Sequence, residues 1–485
     1  MKRIHFFTIF LIFLSFNISL ISCSKDNTED IVEVEVPDEE PPVDSGLPIV
    51  ITNEISDLTR YSVTLSGRLV DPGDSDVTEV GIIVAQFPSL TIYNNQVRFP
   101  LDPDATGEFS IEATHMYPNN RHFVKAYAIN NEGVAYGDFI AFTSLDQNAF
   151  DGDITLSTQQ EVEDFGANNY NVIKGNVTIT GSVTSLLPLQ TLEIIELELN
   201  VINTDNLKNF EGLHNLVVTG YTNFGGFRIE NNTALENFSG LDNLEVIMGD
   251  TYVINNPNLI NLEGLDSFAR VWFGQFRIEN CNAIQSLAGL ENLSLIDMEL
   301  FLIDNALLND LSALNQLNYA ERIYILNNSS LEIINGFESL TSSEGLIVEN
   351  NENLTSIEGF DVLTSIPDVI TFSRNPKLTN LNFLQNISST AYLNIIENEV
   401  LANFNGFQNL TSVTYNMYIR ENNNLNSLFG LENLNQVDKL EIQNNELLDD
   451  FCALNHLFTN GNSGSINFSG NLSNPSTDDI INNCD

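Results

Sequence analysis

The side chains able to do chemistry are few and far apart. The five histidines are His5, His115, His122, His214 and His456, and no two share a metal-binding spacing. No His-x-x-x-His pair and no Gly-x-Ser-x-Gly elbow occurs. Carboxylates are abundant, 66 in all, so some glycosidase-like pair must arise by chance. Four cysteines remain, Cys23, Cys281, Cys452 and Cys484, and the use of each depends on the element that carries it. The expectation is a protein with no catalytic residue, no metal ligand set and no cofactor.

The 66 acidic residues face only 18 basic ones, for a net charge of −48. Such a field repels phosphate backbones, which excludes nucleic acid as a partner. It also opposes adsorption to an anionic membrane, so membrane contact is expected through a covalent anchor only. That anchor is legible at the start. Lys2 and Arg3 precede an apolar run from Phe6 to Leu14 that is too short to span a bilayer. Leu20-Ile21-Ser22-Cys23 then resembles the bacterial lipobox, which implies a signal peptide over residues 1–22 and acylation of Cys23. Ser24-Lys25-Asp26 resembles the tag that sends some lipoproteins to the outer face, so the expected place is the outer membrane, facing the exterior. Residues 23–46 follow as an acidic tether stiffened by Pro37, Pro41 and Pro42.

Residues 47–146 have the marks of a β-sandwich. Val63, Leu65 and Leu69 alternate with polar neighbours, and turn signals such as Asp71-Pro72-Gly73-Asp74 recur at short intervals. Asp71, Asp74 and Asp76 are taken as a plain acidic turn in preference to a calcium site. The phrase Lys125-Ala126-Tyr127-Ala128-Ile129-Asn130-Asn131-Glu132-Gly133, with Ala135-Tyr136-Gly137 behind it, resembles a fibronectin-type-III-like module of bacterial surface lipoproteins. That resemblance implies a spacer.

From residue 147 the chain repeats. Leu235, Leu259, Ile284, Leu308, Leu331, Leu354, Leu378, Leu401, Leu425 and Leu448 recur at steps of 23 to 25 residues, the period of a leucine-rich solenoid. Three residues before each stands Asn232, Asn256, Asn305, Asn328, Asn351, Asn375, Asn398, Asn422 or Asn445, with Cys281 at the one break. Turned inward at the end of a short strand, these amides would pair backbone groups left over by a sharp turn, as an internal ladder. Cys281 is accordingly read as a structural thiol. A glycine five residues after the leucine, as in Gly264 or Gly430, marks a turn with unusual backbone angles.

An open solenoid needs caps. Ser157-Thr158-Gln159-Gln160 has capping-box spacing, and Val162 with Phe165 gives a short helix one apolar stripe. At the far end Cys452 and Cys484 remain once Cys23 and Cys281 are accounted for. In an exported protein they would pair, a closure worth ~3–4 kcal/mol. The copies Asn350-Asn351-Glu352-Asn353-Leu354-Thr355-Ser356-Ile357-Glu358-Gly359-Phe360 and Asn422-Asn423-Asn424-Leu425-Asn426-Ser427-Leu428 resemble the receptor L-domain family. This likeness spans residues 147–485 and implies an extracellular binding or scaffolding role. The expected fold is mainly β, a sandwich followed by an L-domain solenoid.

Strand alternation then sorts the surface. Side chains four and two places before each ladder position are expected to face solvent. The first column reads Arg228, Tyr252, Arg277, Phe301, Tyr324 and Ile347, and the second includes Ile303 and Leu326. With strands ~4.8 Å apart these form an apolar strip with Arg228 and Arg277 beside it. The function expected is a lipid-anchored surface recognition or adhesion protein that binds a protein or glycan through this face. The alternative is a structural envelope lipoprotein, or spacer, without a dedicated ligand.

Overall fold

A computed structural model describes residues 46–60, 62–86, 90–92, 97–101, 107–114, 116 and 119–484. The signal segment, Cys23 and nearly all of the expected tether lie outside the described residues. The chain divides into two compact units. The first comprises residues up to Asp57, with Val63–Ala113 and Arg121–Phe142; the second comprises Leu58–Ser62, Thr114–Asn120 and the rest from Thr143.

The first unit is built from two antiparallel sheets. One pairs β1 (Ile49–Thr52), β2 (Val63–Asp71) and, labelled in chain order, β5 (Glu108–Ala113). The other runs β4 (Val97–Leu101), β3 (Glu79–Ala85), β6 (Arg121–Asn130), β7 (Gly133–Tyr136), with β8 (Ile140–Thr143) against β6. Val63, Leu65 and Leu69 point inward along β2, and Val50, Leu69, Val80, Ala126 and Ala128 form a core drawn from both sheets. Asp71 uses a carboxylate oxygen to accept the Gly73 N–H at 2.9 Å, closing the acidic turn upon itself.

The second unit is a β-solenoid of about 13 turns. Parallel strands stack from Ile154–Leu156 and Val177–Gly181 to Asn462–Ser469, each paired with the next coil. One continuous hydrophobic core runs the whole length, from Leu156 to Ile480. Within a coil Phe227, Ile229, Leu235, Phe238, Leu241, Leu244 and Ile247 all turn inward and are essentially sealed from water. Each such side chain stabilises the fold by ~1.5–3 kcal/mol.

Early coils carry a second line of short strands, among them Val218–Thr219, Val246–Met248 and Arg270–Trp272. Corners at residues 220–226, 249–250 and 273–275 separate this line from the main strands. In Leu295–Ile303 the two lines merge, since Leu295 pairs with Arg270 while Leu300 pairs with Phe276, and a register shift between Ile296 and Glu299 replaces the corner.

The asparagines form a buried ladder. Asn351 donates its backbone N–H to Oδ1 of Asn375 at 3.1 Å and accepts the Asn328 N–H on its own Oδ1 at 3.0 Å. Its amide nitrogen donates to the carbonyls of Ile325 and Glu349. The same pattern continues through Asn375, Asn398, Asn422 and Asn445 to Asn471, where Oδ1 of Asn474 ends the column. Thr204 begins it, bonding Asn232 through its hydroxyl. At Cys281 the backbone N–H still reaches Oδ1 of Asn305, while the thiol replaces the amide and faces the carbonyls of Val253 and Glu279. The recurrent glycine has a left-handed backbone, φ +104° at Gly264, and a methyl group there would strike the Phe238 carbonyl of the preceding coil.

Both ends are closed. Helix α1 (Gln159–Gly166) packs Val162 and Phe165 onto the first coils. Its capping box uses Thr158 and Glu161, one residue later than the spacing suggests, because Glu161 also accepts the Ser157 N–H and so draws the helix start forward. At the other end Cys452 and Cys484 are joined in a disulfide that ties α3 (Thr477–Asn483) to α2 (Asn455–Asn460) and the last coil.

Candidate binding face on the solenoid

Parallel pairing without slippage puts Arg228, Tyr252, Arg277, Phe301, Tyr324 and Ile347 opposite one another in consecutive coils, as one outward column. Rings and guanidinium groups stack along it. Arg228 lies 4.4 Å from the Tyr252 ring centre, Arg277 lies 5.0 Å from that of Phe301, and Phe301 stacks on Tyr324 at 4.5 Å and 15°. Each exposed cation–π contact is worth ~0.5–1 kcal/mol.

The arginines are also held by carboxylates within the face. Arg228 pairs with Glu198 at 3.6 Å and Glu230 at 3.2 Å, and Arg277 pairs with Glu279. A third guanidinium that the repeat alignment does not single out, Arg322, sits among Glu299, Glu321, Glu344 and Asp368. It reaches Asp368 at 3.0 Å, two coils away, by crossing Gly345, where an added Cβ would come within 3.2 Å of its Cγ. The arginines therefore brace the strip and are already neutralised.

The second column is more covered than alternation suggests. Leu326 is half-buried, but Ile303 is only 9% exposed and is part of the packing, not of the accessible strip. The cover is local to that coil, since Ile254 and Ile396 at the same place in other coils stay half-buried. The accessible apolar surface thus centres on Phe301, Tyr324, Leu326 and Ile347.

The two tyrosines of this face are held in their neutral form. Burial, with a hydrogen bond to Asp250 and the charge of that group, pushes the Tyr252 phenol up to about 12. Burial likewise raises the Tyr324 phenol. Both remain protonated hydrogen-bond donors at neutral pH. The Cys281 thiol, sealed in the ladder, is pushed up to about 11 by burial. Among the described residues no group of three or more His, Cys, Asp or Glu could hold a metal ion. No described helix is long and apolar enough to cross a membrane.

A cluster of exposed aromatics that the repeat alignment passes over lies at the corners of the early coils. Phe224 and Phe273 are 56% and 50% exposed and contact each other at 4.6 Å between ring centres. The signals in the sequence are the lengthened step of 28 residues from Leu207 to Leu235 and the Gly-flanked phenylalanines.

No protein-family model matches the chain, and no curated protein matches it. Among solved structures the chain is similar to the sensor domain of the anti-sigma factor RsgI4 of Pseudobacteroides cellulosolvens. A short form of that domain is 13% identical, over 20% of this chain and 95% of that one, with a TM-score of 0.17. A long form is 12% identical, over 21% and 91%, with a TM-score of 0.16. Likeness at that level carries no functional argument.

Proposed function

We propose that this chain is a lipid-anchored cell-surface recognition protein of the outer membrane. In this reading a fibronectin-type-III-like sandwich is the spacer, and a solenoid of the receptor L-domain type carries the binding face. The ligand is a protein or glycan docked over Phe301, Tyr324, Leu326 and Ile347. One observation carries the reading: the in-register stack from Arg228 to Tyr324, which leaves apolar rings at the surface of a chain with net charge −48. The rings and guanidinium groups pack on one another along the column, and pre-organised aromatic anchors bind at low entropic cost.

The experiment compares the full-length chain, purified in detergent, with its Phe301→Asp/Tyr324→Asp variant on arrays of extracellular proteins and glycans. A ligand bound by the parent and lost by at least tenfold in a variant with an unchanged melt supports the reading. A ligand bound equally by both moves the site elsewhere. Absence of any ligand favours a structural envelope lipoprotein, to which the self-neutralised arginines are also suited.

A further inference from the structure

The aromatic cluster at the corners is built at a cost in backbone energy. Phe224 and Phe273 both adopt left-handed conformations, φ +54° and +59°. Every other non-glycine residue with positive φ among the described ones is Asn, Asp, Glu or Arg, and Asn predominates. Bulky residues rarely sit there, because Cβ crowds the backbone. Packing does not account for the choice, since both rings are about half exposed. Met298, 43% exposed, extends the patch from the register shift of the next coil. Trp272, the chain's single tryptophan, borders it at 6.1 Å from the Phe273 ring.

The surrounding chemistry selects one kind of occupant. The corners, residues 220–226, 249–250, 273–275 and 297–298, contain no lysine or arginine; the cation at their border, Arg270, lies over the Trp272 ring at 5.9 Å and leaves Phe224 and Phe273 without a cation of the chain on them among the described contacts. The corners contain two aspartates fixed in place: Asp297 accepts the Phe273 N–H at 2.9 Å, and Asp250 accepts the Gln275 N–H at 3.1 Å. Ring faces carry negative quadrupole charge and attract cations. With carboxylates beside them, on a chain of net charge −48, they favour a positively charged visitor and reject an anionic one.

We propose that the corner patch built on Phe224 and Phe273 docks a basic, extended segment of a partner protein, whose lysine and arginine side chains lie over the exposed rings. The rings of this site are distinct from those of the strip at Phe301 and Tyr324, although Tyr252 of the strand-face column bonds the corner residues Asp250 and Gln275. Its residues stand eight positions before the ladder, on the far side of the column that holds Asp250 and Gln275.

Trp272 provides a local reporter. The full-length chain in detergent is titrated, in 0.15 M salt, with a lysine–serine decapeptide lacking aromatic residues, following Trp272 emission and the anisotropy of the labelled peptide. A glycine–serine decapeptide and cellohexaose are run alongside. The comparison variant is Phe224→Asn/Phe273→Asn, which keeps every charge and relieves the backbone, so its melting temperature should equal or exceed the parent's. The expected result is a saturable emission change with the basic peptide only, and binding weakened about tenfold in the variant. Emission unmoved by the basic peptide, or equal affinity in parent and variant, overturns the proposal. An equal response to cellohexaose also overturns it, in favour of a neutral glycan platform.

Discussion

Cys281 shows how much a single side chain does inside the ladder. The thiol stands where the nine other repeats of the column have asparagine, so Asn256 faces sulfur at 4.0 Å instead of an amide oxygen. A sulfur atom is a weak acceptor, and the backbone of Asn256 is the group that loses by it. Cys281→Asn should complete the column and leave the melting temperature unchanged or higher. Cys281→Ala should cost about 1–3 kcal/mol, from an unpaired buried donor and a small cavity. Burial holds the thiol's pKa well above neutral, so the protonated form prevails at pH 7–9 and the thiolate is absent. A thiol reagent should therefore label Cys281 only in denaturant; rapid labelling of the native chain would show that these coils open locally.

Elements were legible in proportion to their periodicity. Leu235 to Leu448 recur at a nearly constant step, so inward and outward positions follow from alternation, and stacking without slippage turns sequence positions into columns. Reach and coverage were not legible. Arg322 spans two coils across the space left by Gly345, and Ile303 is covered where Ile254 and Ile396, its counterparts in other coils, are not. The corners escaped for a different reason: residues 220–226 break the period, and a repeat alignment discards what does not repeat. The end cap is an element with its own stability. The disulfide closes a separation of 32 residues around the last coil. Cys452→Ser should cost ~3–4 kcal/mol. The loss should be local: amide exchange should accelerate in Asn462–Ser469 and α3 while the strands around Phe301 and Tyr324 stay protected. Exchange that accelerates evenly along the solenoid would mean that the coils unfold as one unit.

At the scale of the molecule, charge sets both stability and choice of partner, with opposite signs. The chain carries 66 acidic against 18 basic side chains, and folding of the two units brings those within them closer together. The attractive pairs are outnumbered and partly exposed; the side chains of Arg228 and Arg322 are 35% and 26% exposed. Pairs of that kind contribute ~0–1 kcal/mol each, which does not offset the general repulsion. Salt at 0.5 M shortens the screening length to a few ångströms, as the ~3 Å at 1 M and ~10 Å at 0.1 M require. Repulsion spread over the whole surface is weakened more than the close pairs, so the melting temperature should rise by about 2–5 °C. Capture of a basic segment at the Phe224–Phe273 corner should move the other way, because the same screening removes its steering and part of its binding energy. Binding through the Phe301–Tyr324 strip, where the arginines are already neutralised, should change little with salt. One salt series, read by thermal melt and by affinity, therefore separates the two faces. A melting temperature that falls with salt would show instead that the Arg–carboxylate pairs along the strand face, and not the overall repulsion, govern the stability of the solenoid.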